Sequence, residues 1–397
     1  MRARREGLGG NRAPEFSRYI AGPWAGAMLA ELGADVIRVD RIGGSEDRWV
    51  APVTRDGEGA VFLQANRNKR SIALDARTDE GRIVQDRLVQ TADVVLSNVP
   101  NAALKTMGID YATLTAIRPD IILANVSSFG PRGPWADRPG FDSVGQAMCG
   151  SAYLTGLGDQ PFRSPITWVD HMTAVYMAFG IMVALRERDQ SGRGQQVDAS
   201  LLGSALGAAG TYLVEQAMTA IDRTPIGNRG FINGPTDTFA TRDGWIVVQV
   251  VGNPIFRRWA RLMDEPHWLD DARFATDELR GQNGALLSER MAGWCAERTS
   301  DVALQILGDA GIPAGPVLSP QETLDHEQVN GMGYMVSCDL GAEGQSASLL
   351  RMPLDLSVST AEIRRPPPAV GEHSHEILSE IGFSAGEIER LVNAGAI

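Results

Sequence analysis

The feature that most constrains this chain is an alternation running through its first 130 residues, in which helical patterns are followed by short β-branched runs. Pro23–Leu32 is rich in helix formers and stops at Gly33, a natural residue just past a helix end. Asp35–Asp40 follows, with the length and β-branching of a strand. Asp79–Thr91 then reads as a helix and Asp93–Ser97 as a strand. Tyr111–Ile117 reads as a helix broken before Pro119, and Ile121–Val126 as the next strand. Short apolar strands after amphipathic helices predict a parallel sheet with helices on both faces. The predicted fold class is α/β, with a Rossmann-like large domain. The stretch before the first helix, Gly10–Glu15, lacks an apolar run. Pro14 would deny a central strand one ladder bond, so a truncated or irregular first strand is expected there.

Between Ser127 and Pro165 glycine and proline are dense, which is loop chemistry, and loops on such sheets carry sites. A long helix is predicted from about His171 to Arg188. Its apolar run, Met172–Leu185, is too short for a bilayer and reads as a core helix. Gln196–Ser200 leads into another apolar helix ending near Thr219. A second Gly/Pro/Asn-rich segment spans 222–240, followed by a strand at Gly244–Val251 and a tryptophan-rich helical region to about Leu307. These features divide the chain into 1–221, the first part of the large domain; 222–325, a smaller inserted α+β domain; and 326–397, a return to the large domain. Helices are expected near His375–Ile381 and Ala385–Asn393.

Composition narrows the function classes. Hydrophobic residues at 43% and charged residues at 22% suit a chain with a substantial core, not a disordered one. A net charge of −12 argues against a nucleic-acid groove. Cys149, Cys295 and Cys338 are far apart, form no CxxC pair and suit a reducing compartment. No apolar stretch follows the basic N-terminus, so no signal peptide is read, and the expected location is cytoplasmic with no membrane partner. The dinucleotide fingerprint, the P-loop and the G-x-S-x-G nucleophile elbow are all missing from the sequence. His373 and His375 read as a solvated loop before a helix, and no metal site is assigned.

An ordered set of segments then matches one family. Ala21-Gly-Pro, Leu29-Ala, Leu32-Gly-Ala-Asp-Val-Ile-Arg-Val-Asp40, Asn68-Lys-Arg-Ser-Ile-Ala-Leu-Asp75 and Ala92-Asp-Val-Val-Leu-Ser-Asn98 come first. Leu104, Met107-Gly108, Phe129-Gly-Pro, Pro139-Gly-Phe-Asp142, Gln146-Ala-Met, Asp170, Ser191-Gly-Arg-Gly-Gln195, Val197-Asp-Ala-Ser200, Gly311-Ile-Pro and Gly371-Glu-His373 continue it. Together they resemble the class III CoA-transferases, the CaiB/BaiF family. The resemblance implies transfer of CoA from an acyl-CoA donor to a carboxylic acid acceptor, with coenzyme A as substrate and no permanently bound cofactor. It also implies two chains interlocked as a homodimer.

By resemblance Asp170 is the nucleophile, passing through a mixed anhydride and an aspartyl-CoA thioester, which splits one hard step into easier ones. Its place just before a strong helical segment predicts an N-cap whose ionised form the helix amides and dipole would stabilise. Asp142 has two readings, a catalytic carboxylate or a loop Asx turn. The resemblance places Ala21, Arg41, Leu74, Arg77, Asn98, Met107, Arg138 and Phe141 at CoA. Guanidinium forks suit its phosphates. Gly227, Gly230 and Gly234 match a glycine-rich substrate loop, where glycine would let backbone swing over the reacting groups, or they serve an ordinary linker.

Some positions depart from the formyl-transferring members of the family. Ile20 replaces a glutamine beside the nucleophile, Thr106 replaces a phosphate-binding arginine, and the glycine loop is thinner. A bulkier or more apolar acid than formate or oxalate is expected. Two rivals stay open. One is α-methylacyl-CoA racemase-like proton transfer, although Phe141 stands where racemases carry histidine. The other is a non-catalytic acyl-CoA-binding protein.

Overall fold

The computed structural model describes residues 7–341 and 344–397. They form two compact units. The large one takes the described residues up to Gly150, Ser164–Met218 and Asn330–Ile397, and the small one takes Ser151–Arg163 and Thr219–Val329.

The large unit alternates as its sequence does. It runs β1 (Arg12–Glu15), α1 (Ala21–Glu31), β2 (Asp35–Asp40), α2 (Ala60–Asn66), β3 (Arg70–Ala73), α3 (Asp79–Gln90) and β4 (Val94–Ser97). Then come α4 (Asn101–Met107), α5 (Tyr111–Ile117), β5 (Ile122–Ser127) and α6 (Asp142–Met148). After α7 (Ser151–Leu154), which belongs to the small unit, follow α8 (Trp168–Ser191), β6 (Gln196–Ser200) and α9 (Leu201–Thr219). The strands pair in parallel in the order β3-β2-β1-β4-β5-β6, so the chain reverses direction across the sheet between β1 and β4. Ligands of open α/β sheets bind at such a switch point, outside the carboxyl ends of the strands.

Side-chain alternation explains why these strands read as unbroken apolar runs. Val94 and Leu96 enter the core shared with α1 and α8, through Met28, Leu29, Met177 and Ile181. Val95, between them, enters the opposite core with Val84 and Leu88 of α3 and Ile377 and Leu378 of the helix Ser374–Glu380. Both faces are covered, and each such side chain contributes about 1.5–3 kcal/mol on burial. Local signals set the helix starts. Thr78 Oγ1 accepts the Gly81 N–H at 3.0 Å, and Asp79 and Glu80 sit in the first turn of α3, where the dipole favours them.

The first strand is short, as Pro14 requires, yet it lies inside the sheet. The N–H of Arg12 donates to Asp93 Oδ2 (2.8 Å) and that of Phe16 to the Leu96 carbonyl (2.8 Å). Backbone direction alternates along a strand, so the Pro14 nitrogen faces β4 as well and has no hydrogen to give. β1 accordingly matches β2 over four positions but β4 only at Glu15.

The long apolar helix differs from its sequence reading. α8 has 24 residues, long and apolar enough by length and composition to cross a membrane. Val169, Ala174, Met177 and Ile181 on it are packed in the core, as helices of soluble proteins also show. The apolar run Met172–Leu185 covers only its middle: polar residues carry the helix on to Ser191, and no local signal marks its start at Trp168.

The Asn68-Lys-Arg-Ser motif joins distant parts of the large unit. Asn68 Oδ1 accepts from the amide of Arg365 (2.9 Å). Lys69 is fully buried against Glu15 (2.5 Å). Arg70 pairs with Asp35 (2.6 Å) and Glu380 (2.8 Å), and Ser71 donates to Asp40 (2.8 Å). A late hairpin, formed after the small unit's strands by Met335–Asp339 and Ser346–Leu350, packs Cys338 and Leu349 on Phe62 and Leu63 of α2. In the small unit Thr236–Ala240, Trp245–Gln249 and Ala314–Pro316 form an antiparallel sheet over an aromatic core containing Phe239, Phe256, Trp259, Phe274 and Trp294.

Candidate active site

At the carboxyl edge of the sheet β1 gives way to a tight loop, Phe16–Ile20, that feeds α1. Asn98, just past β4, clamps this loop: its Oδ1 accepts the Arg18 N–H (2.8 Å) and its Nδ2 donates to the Arg18 carbonyl (2.6 Å). Tyr19 is held at a φ of 63°, a left-handed backbone that a bulky aromatic rarely adopts, and its N–H donates to Asp47 Oδ2 (3.3 Å). Gly22 is required where α1 begins, since a Cβ there would lie 2.3 Å from the Ser17 Cβ. Beneath the loop the Ser17 hydroxyl donates to Glu15, whose other carboxylate oxygen meets Lys69 at 2.5 Å. Lys69 also donates to the Pro23 carbonyl of α1 (2.8 Å) and to Asn66 (2.9 Å). Burial outweighs these partners and brings the Lys69 ammonium down to about 8.

The second half of the site is built from α6 and α8. Phe141, the exposed residue before α6, meets the Tyr19 ring edge to face with centroids 5.7 Å apart. Gly145 lets α6 approach α8, since a Cβ there would sit 2.9 Å from Val169 Cγ1. This approach lays Asp142 over the start of α8. Asp142 is 3% exposed, and its Oδ2 accepts the amides of Val169 (2.8 Å) and Asp170 (3.1 Å). Its Oδ1 accepts from Gln146 Nε2 (2.5 Å), and Gln146 in turn takes the Ser164 N–H (2.9 Å).

This corrects the sequence reading of Asp170. It is no N-cap: α8 starts at Trp168, so Asp170 lies within the first turn, and the helix amides it was expected to use go to Asp142. Burial first, and then the Asp142 charge, push the Asp170 carboxyl up to about 7. Asp142 is neither in an Asx turn nor idle. It is a buried carboxylate satisfied by two helix amides, which holds the α8 start and raises its neighbour. On the same turn His171 Nδ1 lies 2.7 Å from the Thr167 carbonyl, with the ring edge-on to Trp24.

Of the positions assigned to CoA by resemblance, Ala21, Arg41, Leu74, Arg77 and Asn98 follow the carboxyl ends of β1, β2, β3 and β4. Their side chains differ in availability. Arg41 is 70% exposed, 3.9 Å from Glu46, and Arg77 is 91% exposed and bonded to Asp75 (2.8 Å). Ala21 and Leu74 are buried, and Leu74 is part of the core, so they offer backbone only. Asn98 has both ends of its amide on the Arg18 backbone. Met107 is half-buried against the core, and its carbonyl accepts from Gln85 (3.0 Å). Arg138 is exposed and lies over the Trp135 ring, 4.2 Å from its centroid.

The glycine loop lies in the small unit. Gly227 alone of its three glycines has a left-handed φ, 72°. Gly230 and Gly234 are packed: a Cβ would lie 2.7 Å from Asn233 Oδ1 in the first case and 2.9 Å from the Arg280 carbonyl in the second. These two glycines sit in close packing, while the sequence left open a swinging substrate loop or an ordinary linker.

Sequence reasoning missed Arg18, Tyr19 and the Ser17–Glu15–Lys69 chain. Lys69 stood in the Asn68–Asp75 segment without a role, and the signal for the others was three polar residues, Glu15, Ser17 and Arg18, around a single apolar Phe16 where a buried strand should have continued apolar.

Comparison with known proteins identifies the family. The family model described as CoA-transferase family III matches residues 8–374. The chain is 34% identical to a succinate–glutarate CoA-transferase of Agrobacterium fabrum, covering 96% of this chain and 97% of that one. It is 33% identical to a succinyl-CoA–D-citramalate CoA-transferase of Chloroflexus aurantiacus, covering 96% and 95%. A crystal structure of a CaiB/BaiF family protein from Brucella suis superposes with a TM-score of 0.80 at 32% identity, over 94% of this chain and 99% of that one. A doubly wound sheet with this site at its switch edge and a match spanning nearly the whole sequence lead to one conclusion: the chain belongs to the class III CoA-transferases.

Proposed function

We propose that this enzyme moves CoA from succinyl-CoA to a second carboxylic acid through covalent intermediates on Asp170. The observation that carries the reading is the Asp170 carboxyl, raised to about 7 on the first turn of α8 beside a buried carboxylate. A desolvated, partly protonated carboxylate becomes a stronger nucleophile once ionised. It attacks the thioester carbonyl and expels CoA thiolate, leaving a mixed anhydride. The thiolate attacks the Asp170 carbonyl and releases the donor acid as its carboxylate, leaving an aspartyl-CoA thioester. The acceptor carboxylate attacks that thioester, again expelling thiolate, and the thiolate takes the acceptor acyl group from the second anhydride, restoring Asp170. Asp142 holds the turn in place throughout.

Succinyl-CoA as donor is supported by the name of the Chloroflexus aurantiacus relative, and dicarboxylic acids as substrates by that of the Agrobacterium fabrum one; Ile20 in place of a glutamine favours an acceptor larger than formate. A homodimer is supported by exposed apolar side chains along α8 (Val175, Tyr176, Phe179, Met182) and α9 (Val214, Met218).

Intact-mass spectrometry after incubation with succinyl-CoA tests the mechanism. The expected result is a CoA adduct on the wild type that hydroxylamine removes and Asp170→Ala never forms. Deuterium exchange α to the thioester without an adduct would replace this reading with proton transfer. Tight CoA binding with neither would leave a binding protein.

A further inference from the structure

Arginines near the carboxyl ends of β1, β2 and β3 are matched to carboxylates, with one exception. Arg38 pairs with Asp40 (2.9 Å) and Asp47 (2.9 Å), Arg48 with Asp40 (2.7 Å) and Glu58 (2.9 Å), and both guanidiniums are buried. Arg18 has no ion pair among the described residues. Its Nη1 donates to the Ser17 carbonyl (2.8 Å) and its Nη2 to the Val39 carbonyl (3.2 Å), so the guanidinium bridges the ends of β1 and β2. The two nearby carboxylates are engaged elsewhere: Asp47 holds Arg38, Ser45 and the Tyr19 amide, and Asp40 holds Arg38, Arg48 and Ser71.

A half-buried guanidinium satisfied only by neutral carbonyls is unusual, because taking the charge out of water is costly unless an anion meets it. Burial first, and then the Arg38 charge, lower its pKa, with a smaller push from Arg41; the charges of Asp47 and Asp40 attract it from a distance and offset only part of this. Its Nε has no acceptor among the described residues and is not sealed from solvent. The Asn98 clamp fixes the Arg18 backbone on both sides, so the fork is pre-oriented. The Arg18 backbone sits at the switch edge between β1 and β4 and its fork turns toward the end of β2, outside the carboxyl ends of the strands, where open α/β sheets bind their ligands.

We infer that Arg18 is a phosphate-binding residue for the adenosine end of the CoA thioester, acting with the exposed Arg41. The inference rests on the ligand being a CoA thioester. It adds to the residues assigned to CoA one in the loop after β1, and it gives the Asn98 clamp a purpose, that of holding the Arg18 fork in register.

Calorimetric titration of the wild type, Arg18→Gln and Arg18→Lys with CoA, 3′-dephospho-CoA and pantetheine tests it. Arg18→Gln is expected to weaken CoA about tenfold or more and to leave pantetheine unchanged, with Arg18→Lys between the two because a point charge replaces a fork. If Arg18→Gln erases the preference for CoA over 3′-dephospho-CoA, the 3′-phosphate is the partner; if both weaken equally, the diphosphate is. Unchanged CoA affinity, or an equal loss for pantetheine, would overturn the assignment. Should Arg18→Gln fail to fold, a Lys variant that folds and binds CoA like the wild type would overturn it too. A wild type that binds CoA but forms no adduct removes the transfer mechanism and leaves this titration decisive.

Discussion

A carboxyl group that titrates near 7 is about half ionised at neutral pH, and only its ionised form can attack a thioester. Raising the pH through about 7 therefore raises the nucleophilic fraction of Asp170, and kcat/KM for succinyl-CoA should climb through that point before levelling. Asp142 contributes to the elevation through its charge and holds the turn through its hydrogen bonds, and Asp142→Asn separates the two. Asparagine keeps an acceptor for the Val169 and Asp170 amides, gives up the acceptor that faces Gln146 and removes the charge, so the pH–rate inflection should move to lower pH while the plateau kcat falls less than about tenfold. Asp142→Ala loses both and should cost more, on the order of 100-fold. A pH–rate profile of the three proteins checks this. An inflection that stays in place in Asp142→Asn would show that burial alone raises Asp170.

The elements were legible from the sequence because their signals are local. Tyr111–Ile117 forms the helix read from the sequence, a helix covers Ala385–Asn393 near where one was expected, and the strand Asp35–Asp40 is where β-branching placed it. The start of α8 was not legible, because what fixes it is 27 residues away. Asp142 caps the helix from another element, and no pattern around Thr167 announces it. The loop before α1 is similar, since Ser17, Glu15 and Lys69 meet only once the sheet has formed. Such junctions are sensitive to single atoms. Gly22→Ala would put a methyl group 2.3 Å from Ser17 Cβ. The loop must then shift, at about 1–3 kcal/mol, and the Arg18 and Tyr19 backbone shifts with it. The expected outcome is a Tm lower by several degrees and at least a tenfold loss of kcat/KM, read by thermal melting and steady-state assay. A variant with wild-type activity would show that the loop has room its packing does not suggest.

At the scale of the whole molecule, the division of labour between units follows from composition. The small unit has its own aromatic core, and the large unit buries ion pairs between Lys69 and Glu15, Arg67 and Glu31, and Arg38 and Asp40, while Arg70 ties Asp35 of β2 to Glu380 of the C-terminal return. A chain that can bury so many charges would not leave apolar side chains in water along two helices without reason. Val175, Tyr176, Phe179, Met182 and Val183 of α8 and Leu206, Leu213, Val214 and Met218 of α9 are all exposed, with Phe179 at 68% and Met218 at 80%. Contiguous apolar area beyond a few hundred Å² on a lone chain marks an interaction face. The proposed occupant is a second copy of this chain, which would present the same helices in return, as two-fold interfaces do. Light scattering coupled to size exclusion should give twice the 42.7 kDa chain mass for the wild type. Phe179→Glu combined with Val214→Glu places unpaired charges in that interface and should yield the single-chain mass with the large-unit core intact, because neither side chain lies in it. A wild type that runs at 42.7 kDa would sink the dimer. A double variant that stays dimeric would mean that the copies meet through another face.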